Sequence, residues 1–310
     1  MKRILVTAGG TATAWHISNV AKEFFKDDIE VHVCDTNDSY LVPSVVVAKK
    51  VHKVPPVVAS DYTDHIKRIV KEEGIDHIVP LIPQEAYLFA KDSDFVKENG
   101  ITSSAASLKT TDMLADKLNM YKTLCAVGIP TPKVYNLDEI DPNELYLRKP
   151  RLGFGSLGVA VIKGAETIPE DSIYQQYCKS DDYDEITVEV CNTDELRIFS
   201  RRRIATKAGV CVKAEPVDNE VFFPFIKKLV DNVECPAAFN VQFLRHKGEW
   251  LMFDCNLRLG AGTGLSTAIG FQLTRAFLAD IVGIKAQDSW FDVNKNARSV
   301  LRVYQEIVIE

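Results

Sequence analysis

The 310-residue sequence contains no apolar run long enough to cross a bilayer, which excludes a transmembrane helix. It has no CxxC, HxH, HxxxH or GxSxG spacing, so it offers no redox dithiol, no zinc-binding histidine pair and no serine nucleophile elbow. Its seven cysteines, Cys34, Cys125, Cys178, Cys191, Cys211, Cys235 and Cys255, are odd in number and scattered, which reads as buried free thiols in a reducing compartment. In MKRILVTAGG the apolar run stops too soon for a signal peptide, so a cytoplasmic protein without membrane attachment is expected. Positive charge is also short. The 37 Lys and Arg against 43 Asp and Glu leave a net −6, which argues against a nucleic-acid partner. An acidic small substrate would then need a local basic patch. Repeats and low-complexity tracts are absent as well.

What remains is an ordinary globular composition, 46% hydrophobic and 26% charged, in a chain long enough for two or three lobes. Arg3 to Thr7 reads as a strand, Ala8-Gly-Gly10 as a turn, Trp15 to Phe25 as a helix and Glu30 to Cys34 as a second strand. Strand, glycine turn, helix, strand opens a βαβ unit and so a parallel sheet. Tyr62 to Glu73 has helical periodicity and stops at Gly74, ahead of a short strand from His77 to Ile82. The turn Ala8 to Ala14, AGGTATA, is not the GxGxxG of a dinucleotide-binding loop, and Asp35 alone does not replace it. Ser107 to Val127 reads as helical, Leu145 to Pro150 and Val159 to Ile162 as strands of a hairpin. Strand-like runs then dominate: Ile173 to Cys178, Glu185 to Val190, Leu196 to Ala205, Gly209 to Ala214, Ala238 to Leu244 and Trp250 to Asp254. Phe222 to Val233 and Leu265 to Ile281 have helical patterns, and Val300 to Ile309 reads as an edge strand.

Three features carry chemistry. The turn from Arg151 to Gly158 exposes backbone N–H groups at Gly153, Gly155 and Gly158 beside Ser156, and Lys149 feeds it. That composition suits a nucleoside triphosphate, or else a tight hairpin with a basic rim. Asp254, Asn256 and Arg258 are spaced two apart at a strand end, with Asn240 and Gln242 on the expected neighbouring strand. Such oxygen donors suit Mg²⁺, with Arg258 free for phosphate; an Asp254–Arg258 salt bridge is the simpler alternative. By alternation Phe253 and Cys255 should face away. Finally, Glu185 and Glu189 suit ribose hydroxyls or solvent, and Arg203 and Lys207 suit a carboxylate or phosphoryl group.

Asp116-Lys117 ahead of a helix, Gly128-Ile-Pro-Thr-Pro132, Arg148-Lys-Pro before GxGSxGV, Gln175-Gln-Tyr177 and Asp254-x-Asn256-x-Arg258 occur in that order along nearly the whole chain. Together they resemble the ATP-grasp superfamily, in particular the ATP-binding modules of carbamoyl phosphate synthase large subunit and stand-alone carboxylate–amine ligases. The resemblance implies an α/β and α+β protein: an N-terminal open parallel-sheet (pre-ATP-grasp) domain over 1–110, linker helices and a small lobe with a glycine-rich flap over 111–180, and a C-terminal lobe over 181–310.

It also implies roles. Lys117 and Lys149 would reach ATP phosphates, and Gly153, Gly155, Ser156 and Gly158 would form the flap. Gln175, Gln176, Tyr177 and Cys178 would read adenine, and Glu185 would hold ribose. Gln242, Asp254 and Asn256 would bind Mg²⁺ or Mn²⁺, while Arg258, Arg203 and Lys207 would serve the reacting groups. The implied reaction joins a small-molecule carboxylate to an amine through an acyl phosphate, releasing ADP and phosphate. Phosphorylation of a carboxylate or carbamate, and a catalytically reduced ATP-binding subunit, are the alternatives, and a homodimer is left open. Three departures stand out: Asp254 where the family usually has Glu, Leu257 where it has proline, and Gln176 where the hinge has an acid.

Overall fold

A computed structural model describes residues 1–153, 157–164, 166–179 and 184–309. The N-terminal segment alternates as expected. Strand β1 (Lys2–Val6) leads into helix α1 (Ala12–Phe24), then β2 (Ile29–Asp35), β3 (Lys50–Lys53), helix α2 (Tyr62–Glu73) and β4 (His77–Val79). Helices α3 (Pro83–Lys91) and α4 (Ser93–Glu98) and strand β5 (Thr102–Ser103) complete it. The five strands form one parallel sheet in the order β3-β2-β1-β4-β5. Helix α2 forms where the periodicity put it. Tyr62, Ile66, Ile69 and Val70 fall on one face and are buried, each contributing about 1.5–3 kcal/mol. Gly74 ends the helix at φ +61°, a conformation that costs glycine little.

The strand order reverses between β1 and β4, which opens a crevice at their carboxyl ends. There the turn after β1 packs directly on β2. A Cβ on Gly9 would lie 3.0 Å from Val33, so only glycine fits without displacement.

The stretch read as helical over 107–127 forms two helices, α5 (Leu108–Leu114) and α6 (Lys117–Ala126). The break has a cause: the Asp116 carboxylate caps α6, accepting from the N–H groups of Leu118 and Asn119. A four-stranded antiparallel sheet follows, built from β6 (Val134–Tyr135), β7 (Leu145–Pro150), β8 (Ala160–Lys163) and β9 (Ser172–Gln176) in the order β6-β9-β7-β8. The expected boundary at 180/181 lies outside the described residues.

The largest sheet is antiparallel. It contains β10 (Glu185–Asn192), β11 (Leu196–Lys207), β12 (Val210–Val217), β13 (Ala238–His246) and β14 (Glu249–Asn256), with α7 (Phe223–Asn232) between β12 and β13. Helices α8 (Thr263–Ile269) and α9 (Leu273–Ile281) come next, and β15 (Val300–Leu301) closes the order β14-β13-β10-β11-β12-β15. One helix was expected over 265–281. Gly270 splits it at φ +117°, and a Cβ there would lie 2.4 Å from the Asp292 carbonyl oxygen. The expected edge strand over 300–309 is paired only at Val300 and Leu301.

Two apolar cores fix the geometry. One joins the parallel sheet to the large sheet: Ile4 and Ile17 share it with Phe199, Phe271, Leu273 and Phe277. The other packs α6 and α7 under β10, β13 and β14 through Leu124, Ile226, Leu229, Phe239 and Phe243. Their burial ties the N-terminal crevice to the end of β14.

Candidate active site

A cleft of about 410 Å³ separates the small sheet from the large one. Lys149 on β7 and Gln175 on β9 line one wall; Glu185, Gln242, Phe253 and Asp254 line the other. Lys149 is buried, with its ammonium 5.2 Å from the centre of the Phe253 ring. Burial pushes its pKa down to about 8, and the Asp254 carboxylate only partly offsets this. A buried cation so short of counter-charge is suited to an incoming anion. Lys117, the first residue of α6, enters the same cleft and places its Nζ 2.5 Å from Asp254 Oδ1. Burial works against its charge, but the Asp254 carboxylate wins and raises its pKa overall. The end of β7 is tied to the same helix start: Arg151 Nε donates to Asp116 Oδ2 at 2.9 Å.

Strand β14 departs from simple alternation. Gln242 pairs with Asp254 and Phe243 with Met252, so Phe253 is an extra residue in a bulge. Phe253 consequently joins Asp254 on the cleft side, contrary to the alternation expected for it, while Met252 and Cys255 stay in the core. The register sets Gln242 opposite Asp254 and Asn240 opposite Asn256. Asn256 Nδ2 donates to Asp254 Oδ2 at 3.0 Å. These side chains give an all-oxygen donor set of the kind Mg²⁺ takes, with phosphate and water completing its shell. The simpler alternative of an Asp254–Arg258 salt bridge is not what forms. Asp254 pairs with Lys117, and Arg258 Nη1 donates to the Leu259 carbonyl.

Beyond Asp254 and Gln242 the cleft continues into a second cavity of about 360 Å³, lined by Arg201, Arg203 and Arg258. Arg201 is the residue that sequence reasoning missed. It is buried, donates to Glu189 Oε1 at 3.0 Å, and its Nε and Nη1 have no partner. Arg258 Nε is likewise buried and unpartnered, and burial lowers the Arg258 pKa. Guanidinium groups that are not fully paired beside a cavity are of a chemistry suited to an oxyanion. The signal was in the sequence. Arg201 lies two residues before Arg203 on one strand, so the alternation that favours Arg203 applies to it equally.

Other expected site residues are placed as follows. Gly153, Gln176 and Cys178 line the cleft, Gly158 adopts φ +74° in the turn before β8, and Gly155 and Ser156 lie outside the described residues. Burial pushes the Cys178 thiol up to about 11, so it is no thiolate nucleophile. Glu185 lies 3.3 Å from Arg203 Nη1, whereas Glu189 is fully buried against Arg201 and faces neither ribose nor solvent. Tyr177 is exposed and does not line the cleft; Lys207 is exposed with its Nζ 4.9 Å from the Tyr304 ring centre.

At the N-terminal crevice, Asp35 accepts from the Gly10 and Asn37 amides, so its carboxylate is already used in holding the turn. Glu85 on α3 is buried and accepts from Thr7 Oγ1 and Tyr62 OH. Burial raises its pKa. Histidines distant in sequence meet in the parallel register: His32 Nδ1 lies 3.2 Å from His52 Nε2, with Glu73 alongside. Lys50 already holds Glu73 at 2.5 Å, and this group lines none of the cavities described.

Residues 4–103 match the family described as PylC-like, N-terminal domain, and residues 114–262 match the ATP-grasp domain. No curated protein sequence matches the chain. Among solved structures, Rhizobium etli pyruvate carboxylase superposes with a TM-score of 0.77 at 16% identity, covering 96% of this chain and 30% of the carboxylase. The biotin carboxylase domain of Hydrogenobacter thermophilus 2-oxoglutarate carboxylase gives 0.73 at 15% identity, covering 92% and 70%. N5-carboxyaminoimidazole ribonucleotide synthetase of Thermotoga maritima gives 0.69 at 17% identity, covering 95% and 79%. At such identities the likeness is one of fold. Residues 114–262 belong to the ATP-grasp domain family, and the parallel-sheet domain precedes them. An ATP-grasp domain is an ATP-binding catalytic unit, and its presence marks the chain as an ATP-dependent enzyme. Among the described residues no helix is long and apolar enough to cross a membrane.

Proposed function

We propose that this enzyme joins a carboxylate to an amine through an acyl phosphate. The observation carrying the proposal is the continuity of two cavities. The lysine-lined cleft meets the three-arginine cavity across Arg203, Gln242 and Asp254, which line both. ATP lies in the first, with Lys149 and Lys117 at its phosphates, Gln175, Gln176 and Cys178 at the base, and Glu185 at the ribose. The substrate carboxylate lies in the second, against Arg201 and Arg258. Gln242, Asp254 and Asn256 hold Mg²⁺, which neutralises phosphate charge when bound.

A carboxylate oxygen attacks the γ-phosphorus, the bond to the ADP oxygen breaks, and ADP leaves with its electron pair. The amine nitrogen then attacks the acyl carbon, phosphate departs and the nitrogen loses a proton. Arg201, Arg203 and Arg258 stabilise the charge on the transferring group and the acyl oxygen. No side chain has to act as a nucleophile.

A second reading takes bicarbonate as the acid. It is favoured by likeness to the 2-oxoglutarate carboxylase domain, whose structure holds MgADP and bicarbonate anion. Seven free cysteines fit a cytoplasmic, reducing setting. That same relative is a dimer in its structure, and light scattering tests whether this chain is one too. The test of the proposal is ADP release with hydroxylamine as the amine. Release should require a carboxylic acid and be matched by hydroxamate formation, whereas acid-independent ATP hydrolysis alone would contradict it.

A further inference from the structure

The third cavity, of about 250 Å³, lies where α3 and α5 meet the end of β14. Its walls are mostly apolar, with Ala86, Tyr87, Ala106 and Leu257 among them. Its charged lining is of one sign. Lys117 and Arg258 are its only formal charges among the described residues, and no Asp or Glu lines it. Lys117 is paired with Asp254, whereas Arg258 makes no ion pair among the described residues, with the Asp254 and Glu85 carboxylates acting on it only at longer range. Glu85 sits in sequence between the lining residues Gln84 and Ala86, yet it is turned inward to Thr7 and Tyr62.

An ammonium group entering this cavity would lose water, find no acid in the lining to pair with and face Arg258, a cost of several kcal/mol. A carboxylate would meet Arg258. An apolar body behind that carboxylate would gain from contact with the walls. Arg258 also lines the three-arginine cavity, so an acid seated here presents its carboxylate where phosphoryl transfer is proposed. We infer that the activated substrate is a carboxylic acid with an apolar body and no ammonium group, bound in this cavity, and that the amine enters from elsewhere. This inference rests on the ligase reading above and specifies its acid.

The experiment uses the full chain with MgATP and hydroxylamine, and measures ADP and acyl hydroxamate for acetate, butyrate, hexanoate, phenylacetate, bicarbonate, glutamate and lysine. Along the straight-chain acids, kcat/KM should rise about fourfold per added methylene. Phenylacetate should exceed acetate, and glutamate and lysine should be poor. In the Ala86→Phe variant, which fills the cavity, KM for hexanoate should rise at least about tenfold while MgATP affinity holds. If bicarbonate, acetate, glutamate or lysine is preferred, or Ala86→Phe leaves hexanoate use unchanged, the inference fails and the ligase reading stands. If MgATP binds and no acid yields ADP, both fail.

Discussion

Lys117 Nζ and Asp254 Oδ1 lie 2.5 Å apart, so the first residue of α6 and the last acid of β14 are joined inside the cleft. Both side chains are largely shielded, at 12% and 24% exposure. Removing Asp254 therefore does two separable things. Asp254→Asn should abolish Mg²⁺-dependent ADP release and lower stability by about 2 kcal/mol, because Lys117 loses a charge-assisted bond. Adding Lys117→Met removes the stranded cation and should restore much of the stability, though not the turnover. Urea unfolding of the three proteins, read beside ADP release, checks both effects.

Lys149 carries a pH signature. Burial lowers its pKa from 10.5 to about 8, so the folded chain binds this proton less tightly than the unfolded chain. Between those values the unfolded chain keeps a proton that the folded chain has lost, and stability should rise with pH. Lys149→Met should flatten that rise. A bound triphosphate favours the ammonium form, so ATP binding near pH 8 should take up a proton. Affinity should fall as pH climbs further. Calorimetric titration in two buffers of different ionisation enthalpy measures the uptake.

Gly262 tests the proposed oxyanion receptor without touching a charged residue. A Cβ there would lie 2.0 Å from Arg201 Nη2 and 2.7 Å from Cζ. The guanidinium must therefore move in Gly262→Ala. Turnover with the acid should drop by about 10²-fold, as expected when one oxyanion donor is misplaced. ATP affinity should be unchanged, since Gly262 lines the arginine cavity and not the lysine-lined cleft. Equal activity in wild type and variant would remove Arg201 from the reaction.

Much of this architecture was legible because it rests on local pattern. Helix α2 and strand β7 fall where the sequence pattern and flanking Gly or Pro residues put them, and α2 buries one regular face. The helix read over 265–281 ran unbroken because the close approach of Gly270 to Asp292 is a tertiary contact that periodicity does not register. The break at Asp116, by contrast, is a local cap. Asp254 and Asn256 were legible from their spacing. Phe253 was not, because a single bulge in β14 turns it to the cleft. Alternation sets Arg201 and Arg203 apart from Arg202, but only the sheet shows that Arg201 is buried against Glu189 while Arg202 reaches Asp184. The cavity over Ala86 and Leu257 depends on α3, which begins at Pro83 beyond the strand expected from His77 to Ile82 and for which no helix was expected.

The most direct measurement follows oxygen. An acid that supports turnover is prepared with ¹⁸O in its carboxylate, and the phosphate released with MgATP and hydroxylamine is analysed by mass spectrometry. Attack of that carboxylate on the γ-phosphorus, followed by cleavage at the acyl carbon, predicts one ¹⁸O atom per phosphate formed. Phosphate free of label, with ADP released at the same rate, would contradict the acyl phosphate and with it the ligase reading.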